Sequence, residues 1–227
     1  ENLLVITVDN SHTSDAYPAV ADFTFYGGLY RSVNIIATSA DHFDLEYYGG
    51  PGIKVTPLAE ENFTRVGVEV YLKCKNPDLR LEYSIFDRSG ALVSRKIAST
   101  DETNVTLELP SPHIWNGVRD PYLYTAQVAM SDGRETIDAV STRFGCRSFY
   151  VDSERGFFLN GEQYTLRGVS RHQDRLGVGN ALLAEHHRED VDLIRELGAN
   201  TVRLAHYQHD QYFYDLCDEA GLVVWAE

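Results

Sequence analysis

The sequence predicts a multidomain β plus α/β protein, with β-sandwich structure first and the first part of a (β/α)8 barrel after it. Three observations carry this expectation. From Gly52 to Cys146, short segments alternate apolar and polar residues with period two and are separated by turn residues. Beyond Cys146 the pattern changes to short, nearly continuous apolar strands separated by helical stripes, as in a parallel sheet covered by helices. The last such strand, Leu222-Val-Val-Trp225, runs directly into Glu227.

Composition bounds the function classes. The chain has 227 residues, 43% of them apolar and 24% charged, which is ordinary for a globular protein with a substantial core. Its formal net charge of −14 argues against a nucleic-acid partner or an anionic membrane surface. Since no apolar run reaches the roughly 20 residues of a membrane span, none is predicted. Cys74, Cys146 and Cys217 are odd in number and widely spaced, and read as buried free thiols rather than a disulfide framework or a metal cluster.

Residues 1–48 read as β. Leu3-Leu-Val-Ile-Thr-Val8 looks like the middle of a strand, so the start is read as an internal boundary of a longer protein. A polar connection with Pro18 leads to Asp22-Phe-Thr-Phe-Tyr-Gly-Gly-Leu-Tyr-Arg31, and a further strand is expected over Ser32–Thr38. Gly49-Gly-Pro-Gly52 marks a domain boundary. The second region, 52–146, holds period-two stretches at 66–72, 81–85, 92–97, 105–109, 122–130 and 136–142, with turns at Asn76-Pro77-Asp78, Ser89-Gly90 and Asp132-Gly133. About seven strands in such a length is the count of an immunoglobulin-like sandwich. Trp115 and Tyr122-Leu-Tyr124 read as core or domain-packing residues.

The third region, 147–227, opens on a hairpin centred on Asn160-Gly161. The strand Thr165–Ser170 leads into His172. A helix over Ala184–Leu197 carries Val191, Ile194 and Leu197 on one stripe and is stopped by Gly198. After the strand Thr201–Ala205 comes a helix capped by Asp210 and ended by Gly221. A complete barrel needs roughly 250 residues, so about three of its eight strands fit here and the chain reads as cut mid-barrel.

Parallel strands joined by helices bring His172 and His206 to one sheet edge, the carboxyl edge where α/β folds bind ligands. Neutral imidazoles there can bond sugar hydroxyls or act as acid–base groups, or ligate a metal with Glu227 as a third ligand, the weaker version because no close ligand spacing is present. Arg203 lies inside the second strand and needs a carboxylate partner. His186-His187 reads as a solvated helix face.

Asn200-Thr-Val-Arg-Leu-Ala-His-Tyr207, the segment Tyr212-Phe-Tyr-Asp-Leu-Cys-Asp-Glu-Ala-Gly-Leu-Val-Val-Trp225 and Arg167-Gly-Val-Ser-Arg-His-Gln-Asp174 together resemble the family 2 glycoside hydrolases, particularly their β-galactosidases. The resemblance covers the whole chain. It implies that 1–48 are the C-terminal strands of a jelly-roll sugar-binding domain, that 52–146 are the immunoglobulin-like domain, and that 147–227 open the TIM-barrel catalytic domain. It further implies retaining hydrolysis of terminal β-galactosides, or related β-glucuronides or β-mannosides, by two glutamates. Both glutamates are expected beyond residue 227, so the chain alone is expected to be inactive. His172 and His206 match histidines that contact the sugar, Arg203 an arginine supporting the catalytic carboxylates, and Asp22 an acidic residue sent into the site by a loop of the first domain. Glu227 matches a carboxylate ahead of the acid/base and is given neither catalytic role. No cofactor is assigned to this chain; Mg or Na enters only as an ion of the full-length protein, which is expected to be a homo-oligomer acting on a carbohydrate. Gln208 departs from the family's usual Pro. The alternatives are a non-catalytic carbohydrate-binding or assembly module, and a metal-dependent barrel hydrolase.

Overall fold

The computed structural model describes residues 3–11 and 21–227. Residues 52–146 form a sandwich of two antiparallel sheets. One holds β2 (Ile53–Pro57), β3 (Arg65–Val70) and β7 (Asn104–Glu108) in the order β2-β3-β7; the other holds β5 (Arg80–Phe86), β6 (Leu92–Ser99), β8 (Tyr124–Ser131) and β9 (Thr136–Phe144) in the order β6-β5-β8-β9. The alternation of the sequence is the alternation of burial: Val66, Val68 and Val70 point inward on β3, and Tyr124, Ala126, Val128 and Met130 on β8. The inward residues of β3 pack against those of β8 and its neighbour β5, Leu81, Tyr83 and Ile85, in one core. A short pair, β1 (His42–Phe43) with β4 (Leu72–Lys73), lies beside it.

The strands expected at Leu3–Val8 and Ser32–Thr38 are not formed. The described residues before His42 carry no ladder, and Leu3 and Ile35 are 90% and 89% exposed. A strand is stable only when its backbone groups find a neighbour, and the described residues offer this segment none. Part of the expectation, at 1–2 and 12–20, lies outside the described residues.

The third region opens on the hairpin sheet of β10 (Phe149–Asp152), β11 (Gly156–Leu159) and β12 (Glu162–Gln163). Asn160 and Gly161 both take positive φ, 51° and 81°, the backbone that a two-residue hairpin requires. Then come β13 (Gly168–Arg171), α1 (Ala184–Glu196), β14 (Thr201–Leu204), α2 (Gln211–Ala220) and β15 (Val223–Ala226). The three strands pair in parallel in the order β13-β14-β15, with Arg171 beside Leu204 and Leu204 beside Ala226. Val191 and Ile194 of α1 and Phe213 and Cys217 of α2 pack on Val202 and Leu204. The α1 stripe differs from expectation at both ends. Leu197 is 73% exposed at the helix C-cap, whereas His187, one turn before Val191, is buried. Asp210 caps α2 by accepting from the Tyr212 N–H at 2.9 Å.

Trp115 joins the sandwich to the barrel strands. It is 3% exposed, packs with Leu159 and Tyr164, and donates from Nε1 to the Asp218 carbonyl at 3.0 Å. Gly221, in the left-handed region at φ 75°, ends α2 where a Cβ would stand 2.2 Å from the Gly117 carbonyl oxygen, so only glycine lets the two regions approach this closely. Trp115→Phe keeps an aromatic ring but loses the indole N–H bond, leaving the Asp218 carbonyl with the Gly221 N–H alone at 3.4 Å; the expected loss is about 1–2 kcal/mol of unfolding free energy, read from the urea midpoint.

Candidate functional site

Period two decides which residues of the parallel strands face which way. On β14, Val202 and Leu204 are buried toward the helices, so Thr201 and Arg203 face the opposite side of the sheet. Ser170, paired in register with Arg203, shares that side. The sheet therefore carries two polar clusters, one on each side of its carboxyl edge.

On the inner side, Arg203 makes a two-pronged contact with Glu227, Nε to Oε1 at 2.7 Å and Nη2 to Oε2 at 3.2 Å, and donates to Ser170 Oγ at 3.3 Å. His206 Nδ1 lies 2.9 Å from both Glu227 Oε2 and Arg203 Nη2. A guanidinium can only donate and a carboxylate only accept. Each guanidinium Nη carries two N–H groups, so Nδ1 either donates to Glu227 and leaves Nε2 as an acceptor, or accepts from Arg203 and leaves Nε2 as a donor. Hydrogen bonds from His206 first and Arg203 second hold the Glu227 carboxyl below its ordinary pKa. The Ala205–His206 peptide bond is cis.

His172 stands across from His206, ring centroids 5.3 Å apart and planes at 74°. Its Nδ1 is buried and has no hydrogen-bond partner among the described residues, the kind of atom that in a native structure calls for an explanation. Phe23 closes the cluster from the N-terminal segment, 6.2 Å from His172, 6.1 Å from His206 and 5.0 Å from Tyr207. Tyr207 accepts at its hydroxyl from the Gln173 N–H at 2.9 Å, and burial raises its pKa. Gln208 is built into the rim: its amide donates to the Glu227 carbonyl at 3.0 Å, and its own carbonyl accepts from Arg31.

On the helix side lies a second, buried cluster that the sequence did not announce. Arg171, only 6% exposed, donates to Asp190 through Nε at 2.8 Å, to His209 Nδ1 through Nη1 at 3.0 Å and to His187 Nδ1 through Nη2 at 3.1 Å. Its guanidinium carbon sits 3.9 Å from the centre of the Phe213 ring. Burial lowers the Arg171 pKa and Asp190 opposes that shift; at neutral pH the group is a cation. Burial, then the neighbouring Arg171 charge, pushes the pKa of His209 down to about 4 and lowers that of His187. Both rings are neutral acceptors.

The sequence-based candidates divide accordingly. His172, His206 and Arg203 come together, and the carboxylate that Arg203 needs is Glu227. Asp22 is exposed, and it is its neighbour Phe23 that reaches the cluster. His187, expected on a solvated helix face, is 3% exposed; its spacing from Val191 and Ile194 puts it on the apolar stripe, a signal present in the sequence. A metal site of His172, His206 and Glu227 does not fit these residues. Both Glu227 oxygens are taken by a guanidinium and an imidazole, and among the described residues no group of three or more His, Cys, Asp or Glu is arranged to hold an ion.

The buried histidines make stability depend on pH. Because the folded pKa of His209 lies below its ordinary value of 6.5, the unfolded chain binds a proton that the folded chain refuses between those values. Stability is therefore full above about pH 6.5 and is lost as pH falls toward 4, by up to about 1.4 kcal/mol per pH unit for one proton. Urea midpoints at pH 7 and pH 5 check this: the midpoint falls at pH 5, and less so in His209→Gln.

Two family models match, "Glycosyl hydrolases family 2" over residues 52–147 and "Glycosyl hydrolases family 2, TIM barrel domain" over residues 151–227. The chain belongs to glycoside hydrolase family 2. The strand-end site thus sits at the opening of a family 2 barrel, behind the family's immunoglobulin-like domain. A family relative, a β-glucuronidase of Bacteroides fragilis, is 37% identical over all of this chain and 34% of its own length. The crystal structure of an FMN-binding β-glucuronidase from Faecalibacterium prausnitzii L2-6 superposes with a TM-score of 0.89 at 46% identity, covering 96% of this chain and 34% of that one. A β-galactosidase of Thermoanaerobacter pseudethanolicus is 27% identical over all of this chain and 31% of its own. The chain thus spans about a third of the length of the relatives it matches.

Proposed function

We propose that this chain carries the sugar-binding half of a retaining β-glycosidase site whose two catalytic glutamates lie outside these 227 residues. The observation that carries the reading is the convergence of His172, His206, Arg203 and Glu227 at the carboxyl edge of three parallel barrel strands. His206 Nε2 is left to hydrogen-bond a sugar hydroxyl, and His172 forms the facing wall. Arg203, neutralised by Glu227, holds the carboxylate and His206 in a fixed arrangement, as a preorganised site requires. Phe23 reaches the cluster from the N-terminal segment, which supports residues 1–48 being the closing part of the family's sugar-binding jelly-roll domain. In retaining hydrolysis one glutamate attacks the anomeric carbon and the other protonates the leaving oxygen. Neither role falls to Glu227, whose oxygens are both committed to Arg203 and His206.

Within the class, the relatives quoted with the higher identities favour a β-glucuronide over the β-galactoside expected from the sequence motifs. Binding measured by isothermal titration of methyl β-D-glucuronide and methyl β-D-galactoside tests this. The expected result is tighter binding of the glucuronide; equal or reversed affinities contradict the glucuronide reading and return the galactoside.

A further inference from the structure

Arg171 is the last residue of β13, and its main chain and side chain lead to the same neighbouring residue. Its carbonyl accepts from the Ala205 N–H at 3.0 Å. Its guanidinium donates to His209 Nδ1 at 3.0 Å, and His209 Nε2 lies 3.3 Å from the Ala205 carbonyl. The tautomer follows from the partners. A guanidinium only donates, so Nδ1 accepts, Nε2 carries the proton, and it is donated to the carbonyl. Ala205, 1% exposed, is thus held at its N–H by Arg171 directly and at its C=O by Arg171 through His209.

The residues next to the two ends of this clamp are the two site histidines. His172 follows Arg171, and His206 follows Ala205. We propose that the Arg171–His209 pair is a positioning device that sets the separation and tilt of the His172 and His206 rings. The proposal rests on the reading of those rings as the sugar-binding pair. Arg171 is itself held fast: Asp190 neutralises it at 2.7 Å, His187 accepts from it, and Phe213 lies against its face. Two neutral histidines suit the task, because each accepts a directional bond without adding a competing charge. An apolar residue at position 209 would fill the space but leave the Ala205 carbonyl free to turn.

Three variants of the 227-residue chain test this. His209→Gln preserves both bonds, since its amide oxygen can accept from Arg171 while its nitrogen donates to Ala205. His209→Phe preserves the ring volume and neither bond. Arg171→Lys retains the charge but cannot reach three partners at once, and serves if the Phe variant fails to fold. The readouts are ring-to-ring NOEs between His172 and His206 in histidine-labelled protein and the Kd for methyl β-D-glucuronide, with a thermal melt confirming that each variant folds. We expect His209→Gln to keep the NOE pattern and a Kd within about threefold of wild type, and the folded Phe or Lys variant to change the NOEs and raise Kd about tenfold. An unchanged NOE pattern and Kd in a folded Phe or Lys variant overturns the proposal. If no form binds the glucuronide, the sugar-site reading has failed, and the NOE pattern alone still decides the clamp.

Discussion

Replacing Arg171 with Met will cost about 3 kcal/mol of unfolding free energy, because it removes one partner of a buried ion pair. The side chain is 6% exposed and satisfies Asp190, His187 and His209 together. Removing it leaves a carboxylate and two ring nitrogens without their donor. Asp190 is 30% exposed and recovers some water, which keeps the loss at the lower end for a broken buried pair. The check is urea unfolding, read as a lower midpoint at unchanged slope. A midpoint equal to wild type would mean that the guanidinium is replaceable by packing alone.

The second large effect is at Phe213. The ring is fully buried and packs in the barrel-strand core, while its face supports the Arg171 cation at 3.9 Å. Phe213→Ala will cost about 3–5 kcal/mol through lost transfer free energy and the cavity left behind. Part of that is shared with Arg171. The double variant should therefore lose less than the sum of the singles, by an interaction energy of about 0.5–2 kcal/mol. Strict additivity would show that the cation and the ring are energetically independent despite their contact.

The regular parts of this fold were legible because their determinants are local. Asn160-Gly161, Gly198, Asp210 and Gly221 each act through their own backbone or their nearest neighbours, and each sits where the sequence put it. The sandwich strands were legible for a related reason: alternation of side chains maps directly onto a buried and a solvated face. The N-terminal strands failed because a ladder depends on a partner that no local pattern specifies. Leu4 and Ile35 look like strand residues and are exposed without one.

The coming together of His172, His206 and Arg203 was legible from their place at or near the ends of apolar strands. Arg171 is plain in the sequence as a polar residue, but its polarity does not say which side of the sheet it faces. Counting by two from Val169 would have placed it with the helix-facing residues, opposite Ser170 and Arg203. His187 was hidden by its pairing with His186, although its spacing from Val191 marks it as inward. Phe23 could not be found this way at all, because its contact with His172, His206 and Tyr207 joins segments far apart in the chain.

The central claim is that this chain binds the sugar but does not cleave the glycosidic bond. The measurement that tests it most directly is a histidine-resolved NMR titration of the 227-residue chain with p-nitrophenyl β-D-glucuronide, followed in the same tube for nitrophenol release. The account predicts that the ring signals of His172 and His206 shift with added glycoside while nitrophenol appears no faster than in buffer. Unmoved histidine signals, or catalysed release of nitrophenol, would contradict it.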